Sequence, residues 1–378
     1  MRIAAPTPTL RMLTAACLAL GALVVLGSGT ARAGSAPPIP QGQLAFTVYP
    51  DAGGAPEIFV INLDGSERHQ LTDNGVNDNL PDWSPDGTRL LEQRNLHDTT
   101  YGVMTMDPDG DHPHQVSNDS NDDGYPSWTP DGRILVASYR ESNSKIFVMD
   151  ANGGNATRLS NTDAIADYNP AMSPDGNKIA YESEQSGSRE IWVMDTNGGN
   201  KTRLTYDDNF DGQPAWSADS SVIVFNRSLN SNDLWSIDAA GGHLTQLTFV
   251  GDAGDPAFSP DGAFIVFSRS DGLYTMTPDG QNVTKVPGTV RGDVEPSWRP
   301  GMIAGDSDCN QLVDAMDVLH TLQSQAGAPA NAAGCLAAAN VKCDDALDAR
   351  DLLLVLGYVA QTASDVPGGC RSIGQPLG

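Results

Sequence analysis

The chain lacks the short signatures that mark several common enzyme classes. It has no Gly-x-Ser-x-Gly nucleophile elbow, no His-Glu-x-x-His zinc motif and no Gly-x-x-x-x-Gly-Lys phosphate loop. Histidine is scarce, with six in 378 residues: His69, His97, His112, His114, His243 and His320. Only His112 and His114 are near neighbours, and Pro113 between them reads as an exposed turn before it reads as a metal site. Positive charge is scarce too. Against 22 Lys and Arg stand 48 Asp and Glu, a formal net charge of −26. That balance argues against nucleic acid and anionic membrane surfaces as partners. It suits cations, basic surfaces, or simply solubility outside a cell. Only 39% of residues are hydrophobic, which fits small repeated β units better than one large core. Proline and glycine interrupt the chain every ten residues or so, which excludes a long single helix.

The one sustained apolar run lies near the start. Met12 to Gly27 is about 16 residues, short of the roughly 20 that a membrane-spanning helix needs. Arg2 and Arg11 precede it, and Ala31-Arg32-Ala33 gives the small-x-small pattern of a signal-peptidase site. Residues 1–33 therefore read as a cleaved leader and the protein as exported. Cys17 sits too early in the apolar run to favour a lipid anchor. Loss of Arg2, Arg11 and Arg32 makes the mature chain near −29. Four further cysteines, Cys309, Cys335, Cys343 and Cys370, cluster in the C-terminal segment. In an exported protein such an even set reads as disulfides, with three pairings open. The spacings 309→335 and 343→370 are similar enough for each half of a duplicated unit to close its own bridge.

What the sequence has in abundance is repetition. Pro81-Asp82-Trp83-Ser84-Pro85-Asp86-Gly87 returns at Pro126 to Gly132, at Pro170 to Gly176 with Met172 in the aromatic slot, and at Pro256 to Gly262 with Phe258 there. It is degraded at Pro214 to Ser220 and truncated at Pro296 to Gly301. The aromatic slots fall 45, 44, 44, 42 and 40 residues apart. A second signature lies between these, as in Ile58-Phe59-Val60-Ile61, Ile146-Phe147-Val148-Met149 and Ile191-Trp192-Val193-Met194. Each copy is followed by a Gly-containing turn and, in most copies, a Leu-Thr-like strand end such as Leu71-Thr72. Proline presets φ in the Ser-Pro-Asp-Gly turn and glycine takes φ > 0 at its end. Each period thus holds about four short strands joined by hairpins, which is a propeller blade. The last copy lacks its following strand, and Gln43 to Thr47 forms an orphan strand at the other end. The N-terminal strand is expected to complete the sixth blade and remove the open edge.

These residues resemble the TolB-type (WD40-like) propeller repeats over roughly 42–300. The resemblance implies a six-bladed fold but no single function, because propellers host binding proteins and enzymes alike.

An acid stands three residues before each proline: Asp78, Asp123, Asp167, Asp211 and Asp293. Blade five breaks register, with Ala253 in that place and Asp252 and Asp255 beside it. Two readings stand. These acids, with Asp252 for blade five, ring one mouth of the central channel, where clustered carboxylates attract a cation or a basic peptide. Alternatively, each bonds the amides of its own loop as an Asx turn. The residue before each proline varies (Leu80, Tyr125, Asn169, Gln213, Asp255, Glu295), as suits either partner recognition or an unconstrained surface.

Residues 301–378 are of another kind. Asp306, Asp308, Asn310, Leu312 (through its carbonyl), Asp314 and Asp317 occupy positions 1, 3, 5, 7, 9 and 12 of a calcium loop, followed by a helix-like run. The pattern recurs 34 residues later as Asn340, Lys342, Asp344, Ala346, Asp348 and Asp351. A lysine at a ligand position reads this second loop as degraded. The duplication resembles dockerin modules, which implies calcium (Ca2+) and a cohesin-like receptor. In both loops the usual glycine at position 6 is replaced, by Gln311 and Asp345.

The expected architecture is a leader (1–33), a linker (34–41), an all-β six-bladed propeller (42–300) and a small C-terminal α-helical calcium-loop domain (301–378). The expected function is a secreted, monomeric, non-catalytic scaffold. Its propeller would bind an extracellular protein or a glycan, and its C-terminal module would dock in a calcium-dependent way. The alternative is a carbohydrate-active lyase or hydrolase with its site at the channel mouth.

Overall fold

The computed structural model describes residues 42–300, apart from residues 52, 98–99, 118–120, 142, 161–164 and 229–230. The leader, the linker up to residue 41, and the C-terminal segment with its calcium loops and cysteines lie outside the described residues.

The described residues form 24 strands in six four-stranded antiparallel sheets. One strand of each sheet is innermost: β4 (Asp78–Trp83), β8 (Asp123–Trp128), β12 (Asp167–Met172), β16 (Phe210–Trp216), β20 (Gly254–Phe258) and β24 (Asp293–Trp298). Each of these packs against the innermost strand on either side, so the six close a ring around a central channel. Blades 1 to 5 begin with β4, β8, β12, β16 and β20. Blade 6 has the order β24-β1-β2-β3, with β1 Gln43–Val48, β2 Glu57–Asn62 and β3 His69–Gln70. The ring is therefore sealed by three N-terminal strands against one C-terminal strand. The single orphan strand expected from the sequence is the first of these three.

The core is divided among the seams. Six clusters of buried side chains each join two neighbouring sheets. One, for example, sets Leu44, Phe46 and Ile61 of blade 6 against Val266 and Leu273 of blade 5. Another sets Leu135 and Ile146 of blade 2 against Ile179, Tyr181 and Met194 of blade 3. The repeated signatures supply these residues, since alternate positions of each short strand face the seams. The indoles of Trp216 and Trp298 also donate across a seam, to the carbonyls of Ala171 and Ala257, each at 3.0 Å.

Two polar devices recur and explain the residues between the apolar runs. In the turn between first and second strands, the Ser or Thr hydroxyl donates to the Asp two residues on. Ser84–Asp86, Ser173–Asp175, Ser217–Asp219 and Ser259–Asp261 are each 2.6 Å apart, and Thr129–Asp131 is 2.5 Å. Gly87 closes the first such turn at φ 65°, and a Cβ there would lie 2.4 Å from the Pro300 carbonyl oxygen of the neighbouring blade. The second device is the Leu-Thr-like strand end. Its hydroxyl accepts an amide of the third strand in all six blades: Thr72 from Ile58, Ser117 from Val103, Ser160 from Ile146, Thr205 from Ile191, Thr248 from Leu234 and Thr289 from Leu273. These amides would otherwise be buried without acceptors.

Candidate interaction face

The two ends of the channel differ. One carries the Ser-x-Asp-Gly turns and the turns between third and fourth strands. The other, the joining face, carries the loops that lead from each blade into the next, together with the hairpins between second and third strands.

The structure puts the predicted acids at the start of the innermost strands, on the joining face. It does not leave them open to the channel. Asp78, Asp123, Asp167, Asp211 and Asp293 are 0–1% exposed. Four of the five are held by arginines: Arg94–Asp78 at 2.7 Å, Arg140–Asp123 at 2.8 Å, Arg227–Asp211 at 2.5 Å and Arg68–Asp293 at 2.7 Å. Asp252, half-buried, pairs with Arg269 at 2.9 Å. Neither sequence reading anticipated these latches, although Asp293 also accepts the Val290 amide of its own loop. The arginines explain the aromatic of the second signature. Arg68, Arg140, Arg227 and Arg269 lie 4.4 to 5.2 Å from the rings of Phe59, Phe147, Trp235 and Tyr274, within cation–π range.

Blade 3 departs from this scheme. Ser183 stands opposite Asp167, where blades 1 and 4 place Arg94 and Arg227. Burial pushes the Asp167 carboxyl above its ordinary range. Blade 1 is crowded instead. Arg94 serves both Asp78 and Glu92, the latter at 2.5 Å and fully buried. Burial, and then the neighbouring Asp78, raise Glu92 to about 8. On blade 4, carboxylate oxygens of Glu190, Asp207 and Asp211 lie within 4.8 Å of one another. Arg203 and Arg227 sit among them at 2.5 to 2.8 Å, so guanidinium groups already supply the charge a cation would bring.

The ring that does face the channel is two residues further on. Leu80, Tyr125, Asn169, Gln213, Asp255 and Glu295 all have φ between 45° and 55° and are half-buried. A non-glycine residue there is strained, and the residue before proline ordinarily prefers extended backbone. The strain is held by a bulge in each innermost strand, seen as the register shifts Asn79/Asp82, Gly124/Ser127, Tyr168/Ala171, Gly212/Ala215, Gly254/Ala257 and, where β24 meets β1, Val294/Ser297. It is also held by bonds between blades. The Glu295 carboxylate accepts the Leu80 amide at 3.0 Å and the Thr47 hydroxyl at 2.7 Å. Gln93 accepts the Tyr125 amide at 2.9 Å, Glu182 accepts the Gln213 amide at 2.7 Å, and Gln213 donates to Asp255. Asp82 accepts the Trp128 amide and the Ser297 hydroxyl, tying blade 1 to blades 2 and 6. Burial raises Asp82 to about 6, and burial with the nearby Asp255 raises Glu295 to about 7.

Aromatic residues surround this ring. Tyr125 and Tyr168 meet edge-on at 6.0 Å, the Tyr139 and Tyr168 hydroxyls are 3.4 Å apart, and Arg189 stacks on Tyr168 and Phe210 at 4.1 and 5.2 Å. Nine large hydrophobic side chains are exposed among the described residues. Seven (Tyr49, Tyr139, Tyr206, Phe210, Phe249, Val250 and Val290) stand on the joining face, and only Leu244 and Val283 lie beside turns of the opposite face. The four histidines whose side chains are described, His69, His112, His114 and His243, are all on outermost strands or the turns before them, away from the channel. His112 bonds Asp107 at 2.8 Å. No helix among the described residues is long and apolar enough to cross a membrane.

A family model described as the TolB beta propeller domain matches residues 109–302. No curated protein matches the chain. Among solved structures, TolB from Acinetobacter baumannii is similar with TM-score 0.60 and 22% identity, over 68% of this chain and 66% of that one. A putative TolB from Agrobacterium tumefaciens gives TM-score 0.55 and 20% identity, over 68% and 93%. A chain of a nidogen/laminin complex gives TM-score 0.53 and 11% identity, over 68% and 98%. At these identities the likeness is one of fold.

Proposed function

Because this chain belongs to the TolB beta propeller family, we propose that it is a protein-interaction scaffold whose joining face holds the partner. One observation carries the reading: seven of the nine exposed large hydrophobics among the described residues stand on that face. Apolar side chains gathered on one face are a cost in water unless something covers them, and aromatic side chains dominate interface energetics. The arginines beside the innermost strands are committed to internal ion pairs and the described histidines lie elsewhere, which favours recognition over acid–base chemistry.

The remaining parts of the reading rest on sequence. The leader pattern of residues 1–33 supports export. The spacing of Asp306, Asp308, Asn310, Leu312, Asp314 and Asp317 supports a calcium loop, and the degraded copy from Asn340 to Asp351 supports a duplicated, dockerin-like docking unit. Cys309, Cys335, Cys343 and Cys370 would brace it. The molecule would then be bivalent, with the propeller holding one protein and the C-terminal unit another.

The test is capture of extracellular proteins on the immobilised full chain, with calcium and with chelator, followed by hydrogen exchange on the purified complex. Protection should appear in residues 205–210 and 248–252, while the Ser-x-Asp-Gly turns exchange as before. Protection confined to the turns would overturn the assignment of the face. Capture unaffected by chelator would overturn calcium-dependent docking.

A further inference from the structure

Two joining loops are built differently from the rest of their face. The loop into blade 4 carries Tyr206, 72% exposed, and Phe210; the loop into blade 5 carries Phe249, 79% exposed. Each loop runs inward to a channel residue, Gln213 in one and Asp255 in the other. Neither loop is slack. The Tyr206 hydroxyl donates to the Arg203 carbonyl at 2.7 Å, with the Arg203 guanidinium 4.8 Å from its ring. Asp233 accepts the Val250 amide at 2.9 Å, the Gly251 amide at 3.1 Å and the Thr248 hydroxyl at 2.9 Å. Apolar rings held out into water by braced loops lose little freedom when they are covered.

The cations around them are all paired with acids. Arg189, Arg203, Arg227 and Arg269 are taken up by Glu182 with Glu184, by Glu190, by Asp207 with Asp211, and by Asp252. No cation lies against Asp208 on the rim, or against Asp255 and Glu295 at the channel, among the described ion pairs. The hydrogen bonds of the inner pair come from uncharged donors: Gln213 and Ser268 to Asp255, Thr47 and the Leu80 amide to Glu295. An apolar rim thus leads to an acidic mouth.

From this juxtaposition the geometry points to a specific partner: a basic, apolar protein segment lying along the loops into blades 4 and 5. Its hydrophobic side chains cover Tyr206 and Phe249, and a lysine or arginine reaches Asp255 and Glu295. The inference rests on the interaction reading above and deepens it, by placing the contact off-centre and giving the partner its charge.

Selection of a displayed random dodecapeptide library on the full chain tests this without assuming a partner. Enriched peptides should combine Lys or Arg with Leu, Ile or aromatic residues. A synthesised winner, followed by fluorescence anisotropy, should bind about tenfold more weakly to Phe249→Ala and to Asp255→Asn, a typical loss at an interface anchor. Its binding should weaken with salt and be unchanged on Val283→Ala at the opposite face. Phe249 is 79% exposed, and Asn at position 255 keeps the shape and one acceptor oxygen of the half-buried aspartate, so both variants fold. Peptides enriched for acidic residues, or winners indifferent to Phe249→Ala and Asp255→Asn, overturn the inference and leave the scaffold reading standing. An oligosaccharide ligand lost on Phe249→Ala overturns it in favour of glycan recognition. No enrichment above background overturns it together with the assignment of the joining face.

Discussion

The same residue type, aspartate, does two kinds of work at the two ends of this propeller. On the turn face, Asp86, Asp131, Asp175, Asp219 and Asp261 bond hydroxyls two residues away. On the joining face, Asp78 and Asp211 reach arginines 16 residues on, and Asp293 reaches one 225 residues back. The turn acids are mostly exposed; the joining acids are buried, and four of the five are matched to an arginine. The turn face is therefore uniform, and the joining face is where blades differ and where a partner can be told apart from other proteins.

The largest test of that contrast is loss of a buried latch cation. Arg227→Met leaves Asp211 and Asp207 facing each other without it, and breaking such a pair costs about 3–5 kcal/mol. Arg133→Ala removes an exposed pair with Asp131 on the turn face, and its cost is below about 1 kcal/mol. Urea unfolding of the two variants should separate them clearly; equal midpoints would erase the distinction.

The next effect is a pH dependence carried by buried acids of the innermost and second strands. Asp82, Glu295 and Glu92 stand at about 6, 7 and 8 in the folded protein, each raised chiefly by burial above its ordinary 3.8 or 4.5. A carboxyl raised on folding holds its proton where the unfolded chain has lost it. Stability from these groups is full below pH 4 and falls as pH rises from about 4.5 to 8. The thermal midpoint should be higher at pH 5.5 than at pH 8.5. Glu92→Gln should raise the pH 8.5 midpoint by roughly 1–3 kcal/mol equivalent and flatten the profile, because Arg94 keeps Asp78 as its partner. A flat wild-type profile between pH 5.5 and 8.5 would show these acids to be solvated.

A smaller effect is expected in the turns. Asp86→Ala removes an acceptor for Ser84 and for the Thr88 amide and hydroxyl, which amounts to about 1 kcal/mol. The smallest is expected in the channel ring. Leu80→Gly relieves backbone strain at φ 53° but frees the unfolded chain, so the two offset and the change should stay within about 0.5 kcal/mol. A loss above 2 kcal/mol would mean that the Leu80 side chain, not its backbone, holds the joint.

How much could be read from the chain follows the same divide. The turns, the strand count and the seam-facing apolar residues were legible because their bonds are local or periodic. The repeating hydroxyl at the strand end was visible as Leu71-Thr72 and its relatives, though its acceptor role needed the sheet. The latches were not legible: Arg68 serves Asp293 only because the ring closes, and Arg140 lies in a hairpin rather than opposite Asp123. The channel positions were noticed as variable but not as kinked, since a residue before proline is expected to be extended. The glycines preceding Tyr125, Gln213 and Asp255 were the available signal. Gly212 leaves room for the Glu182 carboxylate, which a Cβ would approach to 2.6 Å.

The sealing of blade 6 has a consequence for biogenesis. As the polypeptide leaves the ribosome, β1, β2 and β3 are made ahead of the rest of the propeller and wait for β24, the last of its described strands. Throughout that interval the nascent chain carries an unzipped border at β1, open to pairing with any other extended segment. Compaction can finish only once translation has passed Trp298, so any interruption before that point yields an open arc prone to self-association rather than a smaller ring.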